Sequence, residues 1–367
     1  MEIWNNRRKE IPVKLIHCAD LHLDSRMETH MSTEQATKRR NEILNTFARI
    51  ADYAKENGVA AVLIAGDLFD RGTGTDKARS IVFDTIASHP EILFYYLSGN
   101  HDGAGTENLS DLPQNLFLFG ADWKTYRLGN LTVSGSERPD PATLTLRPED
   151  LNIVLLHGQV SDTLTASGEN IPLRAYRKKS VDYLALGHLH AYATYPLDER
   201  GIACYAGCPE GRGFDECGKK GFVLLETLPD RKIRAEFLPF AARTLHEIPV
   251  DLTGISTQNA LRERVDSALA GIPSKDMVKV VLQGKLPSGL PLNFSLLDGF
   301  YESRFFFVKI TDKTRLLIRP EDFDHDISLK GEFVRKTRER QDLSEEEKDR
   351  VLACGLQVLC GEEPTLL

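Results

Sequence analysis

The first two-thirds of the chain alternates short apolar runs with longer helical patterns. The runs VKLIHC (13–18), VAAVLIA (59–65) and EILFYYLS (91–98) have the length and the β-branched or aromatic content of buried strands. Between them, apolar positions recur at helical spacing over about Thr33–Asn57 and about Thr75–Ser88. Strands that alternate with helices predict an α/β fold with a largely parallel sheet covered on its faces.

Each apolar run of this part of the chain leads into polar side chains. Two further runs, NIVLLH (152–157) and VDYLALG (181–187), follow a less regular stretch with hairpin-like strands around 115–136. In open α/β sheets, ligands bind in the crevice outside the carboxyl ends of the strands. We therefore expect seven polar residues to meet there, although they are far apart in sequence: Asp20, His22, Asp67, Asn100, His157, His188 and His190.

From about Thr244 the pattern changes to that of a small α+β unit. LHEIPVDL and MVKVVLQGKL predict strands, and TQNALRERVDSALAGI between them predicts an amphipathic helix. Of the aromatic run Phe305–Phe307, we expect at least two side chains in a buried strand, although stacking on unpaired bases is the alternative. The predicted domains are 1–244, 245–325 and a helical tail, 326–367.

The tail carries a helix start and an apolar stripe. Ser344 and Glu347 have the spacing of a capping box, and the apolar residues that follow lie at helical spacing. Such a helix either packs on its own domain or docks on a partner.

Composition restricts the class of protein. The 367 residues are 41% hydrophobic and 27% charged, which is typical of a globular protein with a large core. The sequence contains no apolar run of about 18 residues and no secretory h-region, so we expect a cytoplasmic protein without a membrane span. The net charge of −8 gives no global signature of a nucleic-acid binder. A phosphate-rich partner would therefore be held by local positive charge, metal ions included.

The six cysteines include no CxxC pair and favour reduced thiols. Cys204, Cys208 and Cys217 cluster, but a zinc site would need a fourth ligand and tighter spacing.

The seven strand-end residues are suited to hold metal ions. Two aspartates, four histidines and one asparagine offer oxygen and imidazole donors without thiolate, a set that suits Mn, Fe or Zn. Seven donors exceed the needs of one ion, whereas two ions that share a carboxylate use about this number. Two ions roughly 3.5–4 Å apart can clamp the attacking and leaving oxygens of a phosphoryl displacement. The sequence therefore predicts hydrolysis of phosphodiesters or phosphomonoesters.

Five segments, ADLHLDS, GDLFDRG, SGNHD, LLHG and GHLH, resemble in this order the motifs of the calcineurin-like metallophosphoesterases. More narrowly, the chain is similar to the SbcD/Mre-type DNA-repair exonucleases, the bacterial SbcD/YhaO-like nuclease subunits among them. The segment 205–226 supports this branch, with Cys208 where the branch usually has serine. The resemblance implies a core of β-sheets flanked by helices, a dimetal site at the strand C-terminal ends and a small α+β C-terminal capping domain.

The resemblance also implies individual roles. One ion would be held by Asp20, His22 and His190. The other would be held by Asn100, His157 and His188. Asp67 would bridge the two ions, which the resemblance implies to be Mn²⁺, although the donors alone leave Fe and Zn open.

Two catalytic residues follow from the same resemblance. His101 would lie beside the scissile phosphate and neutralise charge or protonate the departing oxygen. Asp102 would orient His101. Asp70 would contact the site through water or stabilise its own turn.

The implied function is a two-metal exonuclease on DNA ends that acts in repair or recombination. The implied partners are DNA, an SbcC-type coiled-coil ABC ATPase and a second copy of the chain. The basic residues that flank the motifs either contact the DNA backbone or belong to an ordinary solvated surface. They are Arg71, Lys77, Arg79, Arg174, Arg177, Lys178, Lys179, Arg212, Lys219 and Lys220. The alternatives are a phosphatase or phosphodiesterase on small substrates and, in another class, a non-catalytic scaffold.

Overall fold

The computed structural model describes residues 12–25, 31–70, 74–100, 102, 112–161, 170–287, 290, 292–317 and 323–359. The chain divides into two compact units, Met1–Leu245 and His246–Leu367. None of the helices in the described ranges is long and apolar enough to cross a bilayer. His101 lies outside the described residues.

The first unit combines helices and many short strands. Its helices are α1 (Thr33–Leu44), α2 (Thr46–Glu56) and α3 (Asp76–Ala87), and a 3-10 helix spans Leu173–Tyr176. Its strands are β1 (Lys14–Cys18), β2 (Ala61–Ala65), β3 (Leu93–Leu97), β4 (Leu116–Leu118), β5 (Lys124–Leu128), β6 (Leu131–Gly135), β7 (Leu151–His157), β8 (Gln159–Ser161), β9 (Asn170–Pro172), β10 (Tyr183–Gly187), β11 (Ala193–Pro196), β12 (Ile202–Tyr205), β13 (Gly221–Thr227) and β14 (Ile233–Pro239).

The strands form two six-stranded sheets, in the orders β14-β13-β1-β2-β3-β4 and β11-β12-β10-β7-β6-β5. Neighbours are parallel from β1 to β4 in the first sheet and from β12 to β6 in the second. The outer strands β13, β14, β11 and β5 pair antiparallel. The expected core of β-sheets flanked by helices is therefore confirmed. The apolar pattern alone predicted a single, largely parallel sheet, and the strands instead form two sheets, because the pattern of a buried strand does not show whether a helix or a second sheet covers it.

The two sheets share one apolar core. Leu15 and Leu63 of the first sheet pack in the same buried cluster as Ile153 and Ala185 of the second. Neighbouring positions of β1 and β2 face the other way and pack against the helices, so the strands are buried on both faces. His17 is also fully buried, where its Nδ1 lies 2.9 Å from the Tyr183 hydroxyl.

The helix predicted over Thr33–Asn57 is two helices that meet at Asn45. The Thr46 hydroxyl lies 2.9 Å from the Glu42 carbonyl oxygen and 3.2 Å from Glu210 Oε1. A threonine that bonds back to the preceding turn commonly bends a helix, which the apolar period does not reveal.

The second unit contains the predicted strands and helix of the C-terminal third. Its elements are β15 (Leu245–Asp251, which starts at the border), α4 (Gln258–Ala268), β16 (Met277–Gln283), β17 (Lys285–Leu286), α5 (Ser295–Tyr301), β18 (Phe307–Asp312), β19 (Arg315–Leu316), α6 (Leu329–Glu339) and α7 (Glu345–Leu359). A three-stranded sheet has the order β15-β16-β18. Phe305 and Phe307 are buried, but only Phe307 lies in a strand, β18, so the expectation of two such positions in a buried strand holds for their burial and not for Phe305's place in the strand.

The tail helix α7 packs within its own unit. The Ser344 amide donates to Glu347 Oε2 at 2.8 Å and the Glu347 amide to Ser344 Oγ at 3.3 Å, which confirms the capping box. Leu352 and Leu356 are buried in one cluster with Val334 of α6. The division of this unit into a capping domain and a tail stays a prediction.

A buried ion pair joins α1 to the segment between β12 and β13. The Arg39 guanidinium is fully buried and donates to Glu210 Oε2 at 2.8 Å and to the Gly211 carbonyl at 2.7 Å. Glu210 also accepts from Arg49 and from the amide of Ala242. The carboxylate therefore satisfies several donors that would otherwise be buried without a partner.

We expect Glu210→Gln to lower the free energy of unfolding by about 3 kcal/mol, because it removes the buried carboxylate that pairs with Arg39 and leaves that guanidinium only the Glu42 carboxylate, which Arg243 also binds. Denaturant titration measures this change. Glu149→Gln is the control, since the Arg147–Glu149 pair has side-chain exposures of 68% and 54%, and we expect a much smaller loss there. Equal losses in the two variants would contradict the structural role of Glu210.

Candidate metal centre

Strand ends of both sheets deliver the candidate ligands. β1, β2 and β3 of the first sheet lead into Asp20, His22, Asp67 and Asn100. β7 and β10 of the second sheet lead into His157, His188 and His190. Because β1, β2 and β3 run parallel, their carboxyl ends lie at the same edge of the first sheet. The carboxyl ends of β7 and β10 likewise lie at one edge of the second sheet.

The structure brings these side chains together in two donor groups. Donor atoms of Asp20, His22 and His190 all lie within 4.8 Å of one another, and so do those of Asp20, Asp67 and His157. Asp67 Oδ2 lies 3.7 Å from His22 Nε2 and 3.4 Å from His157 Nε2, between the two groups.

The two remaining candidates lie beside the second group. Asn100 Oδ1 lies 3.0 Å from His157 Nε2. The His188 and His157 rings meet edge to face with their centroids 5.5 Å apart. The arrangement therefore includes all seven residues predicted from the sequence.

The donor atoms fit a cation better than they fit one another. The Nε2 atoms of His22 and His190 lie only 3.3 Å apart, and Asp20 Oδ2 is buried without a hydrogen-bond partner. His157 Nδ1 lies 3.0 Å from the Ala65 carbonyl oxygen, so it carries a proton and leaves the Nε2 lone pair for another partner. Lone pairs and a carboxylate oxygen that converge in this way suit one or more divalent cations.

Several candidate ligands occupy an unusual backbone conformation. Asp20, His22, Asp67 and His188 have φ of 53°, 44°, 51° and 103°, and they are four of the seven non-glycine residues with positive φ in the described ranges. Such conformations cost about 1–3 kcal/mol each and persist where the surroundings fix them. Here the amides of Asp20 and His22 donate to the carbonyls of Gly66 and Asp67, both at 3.0 Å.

Two glycines allow the backbone to approach the site. A Cβ on Gly99 would lie 2.2 Å from Asp67 Oδ1, and a Cβ on Gly187 would lie 1.8 Å from the Ala65 carbonyl oxygen. The glycines before Asn100 and His188 therefore make room for neighbouring strand ends as well as for the turn.

Burial and close charges shift the protonation of the candidate ligands. Burial raises the pKa of Asp20 to about 6. Burial alone would lower the pKa of His157, but the hydrogen bond and the charge of Asp67 raise it to about 9. Without a cation, Asp20 and His157 thus bind protons more readily than usual, and a bound cation would displace these protons.

Two carboxylates outside the donor groups hold the histidines of the first group. His190 Nδ1 donates to Glu216 Oε1 at 2.7 Å, and His22 Nδ1 lies 3.1 Å from Asp70 Oδ1. A carboxylate on Nδ1 fixes the ring and directs Nε2 inward. Asp70 therefore contacts the site directly. Glu216 was not predicted, because a single glutamate in segment 205–226 carries no signal of its own.

Arg212 links these two carboxylates. Its guanidinium donates to Glu216 Oε1 at 2.8 Å and to Asp70 Oδ1 at 3.3 Å. Burial alone would raise the pKa of Glu216, but hydrogen bonds from His190 and Arg212 hold it well below its usual value. The Lys220 ammonium donates to the His190 carbonyl oxygen at 2.6 Å and the residue is buried. Arg212 and Lys220 therefore support the site, and whether either also contacts DNA stays a prediction.

Asp102 joins the two loops that follow β2 and β3. Its carboxylate accepts the amides of Gly99 and Phe69, both at 2.9 Å, and burial raises its pKa. These contacts fix the loop that carries Asp67 against the loop that carries Asn100. The orientation of His101 by Asp102 stays a prediction.

The cysteines form no site of their own. Cys204 is buried between the sheets, and the Cys217 thiol donates to the Phe214 carbonyl oxygen. In the described part of the chain, Cys208 groups with His190 and Glu216, and no candidate metal-binding group includes two cysteines. The three clustered cysteines therefore do not provide the donors of a zinc site.

Comparisons with known proteins agree with this chemistry. Residues 13–192 match the calcineurin-like phosphoesterase family. A Bacillus subtilis protein named uncharacterized metallophosphoesterase YhaO is 27% identical over 316 residues, which cover 78% of this chain and 76% of that protein. The DNA double-strand break repair protein Mre11 of Sulfurisphaera tokodaii is 26% identical over 314 residues, which cover 74% of each.

A solved structure, that of the protein TT1561 of Thermus thermophilus, aligns with 62% of this chain and 99% of its own, at a TM-score of 0.41 and 12% identity.

We expect Glu216→Gln to weaken divalent-cation binding about 10-fold or more while the fold remains, because the His190 ring loses its charged acceptor. Isothermal titration with Mn²⁺ measures the affinity. Asp215→Asn is the matched control, since this neighbouring carboxylate is exposed. Unchanged affinity in Glu216→Gln, or an equal loss in the control, would rule out the proposed orientation of His190.

Proposed function

Since residues 13–192 are a calcineurin-like phosphoesterase domain, we propose that this chain is a two-metal DNA nuclease, an exonuclease that hydrolyses phosphodiesters at DNA ends in repair or recombination. Proteins of this family are metal-dependent hydrolases of phosphoester bonds. The observation that carries the proposal is the pair of adjacent donor groups that share Asp20, with Asp67 Oδ2 of the second group 3.7 Å from His22 Nε2 of the first.

The proposed ligand sets are those that the resemblance implies, and they coincide only in part with the donor groups. Asp20, His22 and His190 would hold one ion, and they form the first donor group. Asn100, His157 and His188 would hold the other ion, and of these only His157 belongs to the second donor group. Asp67 would be shared, although it is Asp20 that lies within both groups. Divalent ions at these positions would supply Lewis acidity and an acidified water for an in-line displacement. We propose Mn²⁺ as the native metal on the resemblance alone, with Fe or Zn as the alternatives that the donors also suit.

The chain's own residues supply the remaining parts of the proposed mechanism. Glu216, Asp70 and Arg212 hold two ligand rings in place, and Lys220 holds the backbone that carries His190. His101 is proposed to stabilise or protonate the leaving oxygen. Asp102 accepts the amides of Phe69 and Gly99 and so fixes the loops that follow β2 and β3, and it is proposed to orient His101 as well.

DNA is proposed as the substrate because of the branch that the chain resembles. The relative from Sulfurisphaera tokodaii carries the name of a DNA double-strand break repair protein and aligns over most of both chains. The segment 205–226 supports the same branch, and two of its residues, Arg212 and Glu216, belong to the site. The net charge of −8 implies that cations and local basic residues attract the DNA backbone.

The wider assembly is also a proposal. We propose an SbcC-type coiled-coil ABC ATPase as partner, a homodimer and a cytoplasmic location, with 245–325 as a domain that selects DNA ends and 326–367 as a segment that docks on the partner. A phosphoesterase on small substrates and a non-catalytic scaffold are the competing functions, and the next experiment separates them.

We expect the purified chain with added Mn²⁺ to shorten end-labelled linear duplex DNA, and Asp67→Ala to lose this activity at least 100-fold, because the shared carboxylate is removed. Gel analysis of the products measures shortening, and a small chromogenic phosphodiester is assayed in parallel. Asp84→Ala, a change in α3 outside the site, is the control. Hydrolysis of the small ester alone would favour the small-substrate enzyme, and no hydrolysis of either substrate would favour the scaffold.

We expect His101→Ala to retain both ions but to lose most DNA cleavage, because a group that acts on the transition state is removed while the ligands remain. Elemental analysis of the purified variant gives the metal content, and single-turnover kinetics give the rate. Fewer bound ions than in the wild type would contradict the assignment of His101 as a catalytic residue.

A further inference from the structure

A cleft extends from one side of the metal centre across the ends of further strands. It has a volume of about 780 Å³, and its lining includes Asn100 and His157 but none of Asp20, His22, His188 and His190. The rest of its wall comes from the ends of β3 and β4, from residues that follow β3, β4 and β6, and from Asn170 and Ile171 of β9. The cleft therefore begins at the second donor group and leads away from the first.

The size of the cleft fits an organic group larger than a phosphate. Ligand pockets have volumes of about 300–1,000 Å³, and their walls are mainly apolar with a few polar groups. Here Leu118, Phe119 and Ile171 contribute apolar wall, and Phe119 is buried and packs in the core between the sheets. The wall is otherwise largely polar, so a phosphate bound at Asn100 and His157 would have both apolar and hydrogen-bonding side chains next to it.

The charges on the cleft wall favour a neutral occupant. Lys124 and Arg138 are matched by Asp122 and Glu137, so these exposed side chains give no net positive charge. The Lys124 ammonium is also engaged, because it donates to the Leu118 carbonyl oxygen at 3.3 Å. A second phosphate would find little attraction here, whereas a neutral planar group would meet apolar and hydrogen-bonding side chains.

Trp123 provides an aromatic surface in the cleft. Its indole N–H donates to the Asp140 carbonyl oxygen at 2.9 Å, and the ring packs on the apolar cluster that covers the second sheet. The residue is nevertheless only partly buried and lines the cleft. A ring that is held in place and partly exposed can stack on a base with little loss of side-chain freedom.

We propose that this cleft is a subsite for one unpaired nucleobase, that of a nucleotide next to the scissile phosphate, with Trp123 as its stacking partner. The inference rests on the proposed function and extends it, because a base in the cleft cannot remain paired with the opposite strand. The subsite thus selects unpaired nucleotides, while the metal centre acts on the phosphodiester.

Kinetics with matched oligonucleotides test the subsite. Trp123→Ala should lower kcat/KM on single-stranded DNA about 10-fold, and Trp123→Phe should restore most of it. Abasic nucleotides are placed on either side of the scissile phosphate in turn. At one of these two positions, the abasic nucleotide should lower kcat/KM of the wild type. At the same position it should not lower kcat/KM of Trp123→Ala any further, because that variant has already lost the stacking contact. Tyr195→Ala is the control, since Tyr195 is a partly buried aromatic residue that packs on the same apolar cluster as Trp123 but lies outside the cleft lining.

A binding measurement keeps the test independent of cleavage. The chain has two tryptophans, Trp4 and Trp123, so Trp4→Phe leaves Trp123 as the only indole reporter. With Mg²⁺ present, thymidine 5′-monophosphate should quench this fluorescence and deoxyribose 5-phosphate should not.

The outcomes separate this inference from the proposed function. Base-dependent quenching together with the base-dependent loss in kcat/KM supports the subsite. Absence of quenching overturns it, even if DNA is cleaved. An equal loss in Trp123→Ala on abasic and normal DNA also overturns it, because Trp123 would then act only on the fold. Quenching without cleavage of DNA supports the subsite but contradicts the nuclease.

Discussion

The hydrogen bond from the His188 amide to Asp20 Oδ1, 2.9 Å long, joins the two sheets at the metal centre. Asp20 follows β1 of the first sheet and His188 follows β10 of the second. The other oxygen of the same buried carboxylate has no hydrogen-bond partner and is left for a cation. This one side chain therefore joins the two sheets and also offers an oxygen to a cation, and the hydrogen bond from its own amide to the Gly66 carbonyl oxygen holds its backbone at positive φ.

Stability and chemistry make opposite demands on this edge of the fold. Taking carboxylates out of water costs free energy when no cation is bound, and the pKa of Asp20, which burial raises, records that cost. The compensation lies in the layers around the site, where strands are buried on both faces and Asp102 ties two loops through backbone amides. A rigid surround lets unfavourable neighbours stay close without a change of fold.

Sequence alone predicted the strands and the donors because both have local signals. Asp67 and His188 each follow an apolar run and a glycine, which marks a strand end in any α/β chain. The second sheet and the pairs His190–Glu216 and His22–Asp70 had no such signal, because the partners are brought together by tertiary structure. The break at Asn45 was also missed, since the apolar period continues across it.

The segment between β12 and β13 has two attachments that lie close together in sequence. Glu210 anchors it to the buried guanidinium of Arg39, and Glu216, further along the same segment, holds the ring of the candidate ligand His190. Because both glutamates are bound to other parts of the fold, an insertion or deletion between them would displace one of these two contacts. The number of residues between Glu210 and Glu216 is therefore constrained by both contacts. Insertions that other surface loops would tolerate should not occur here.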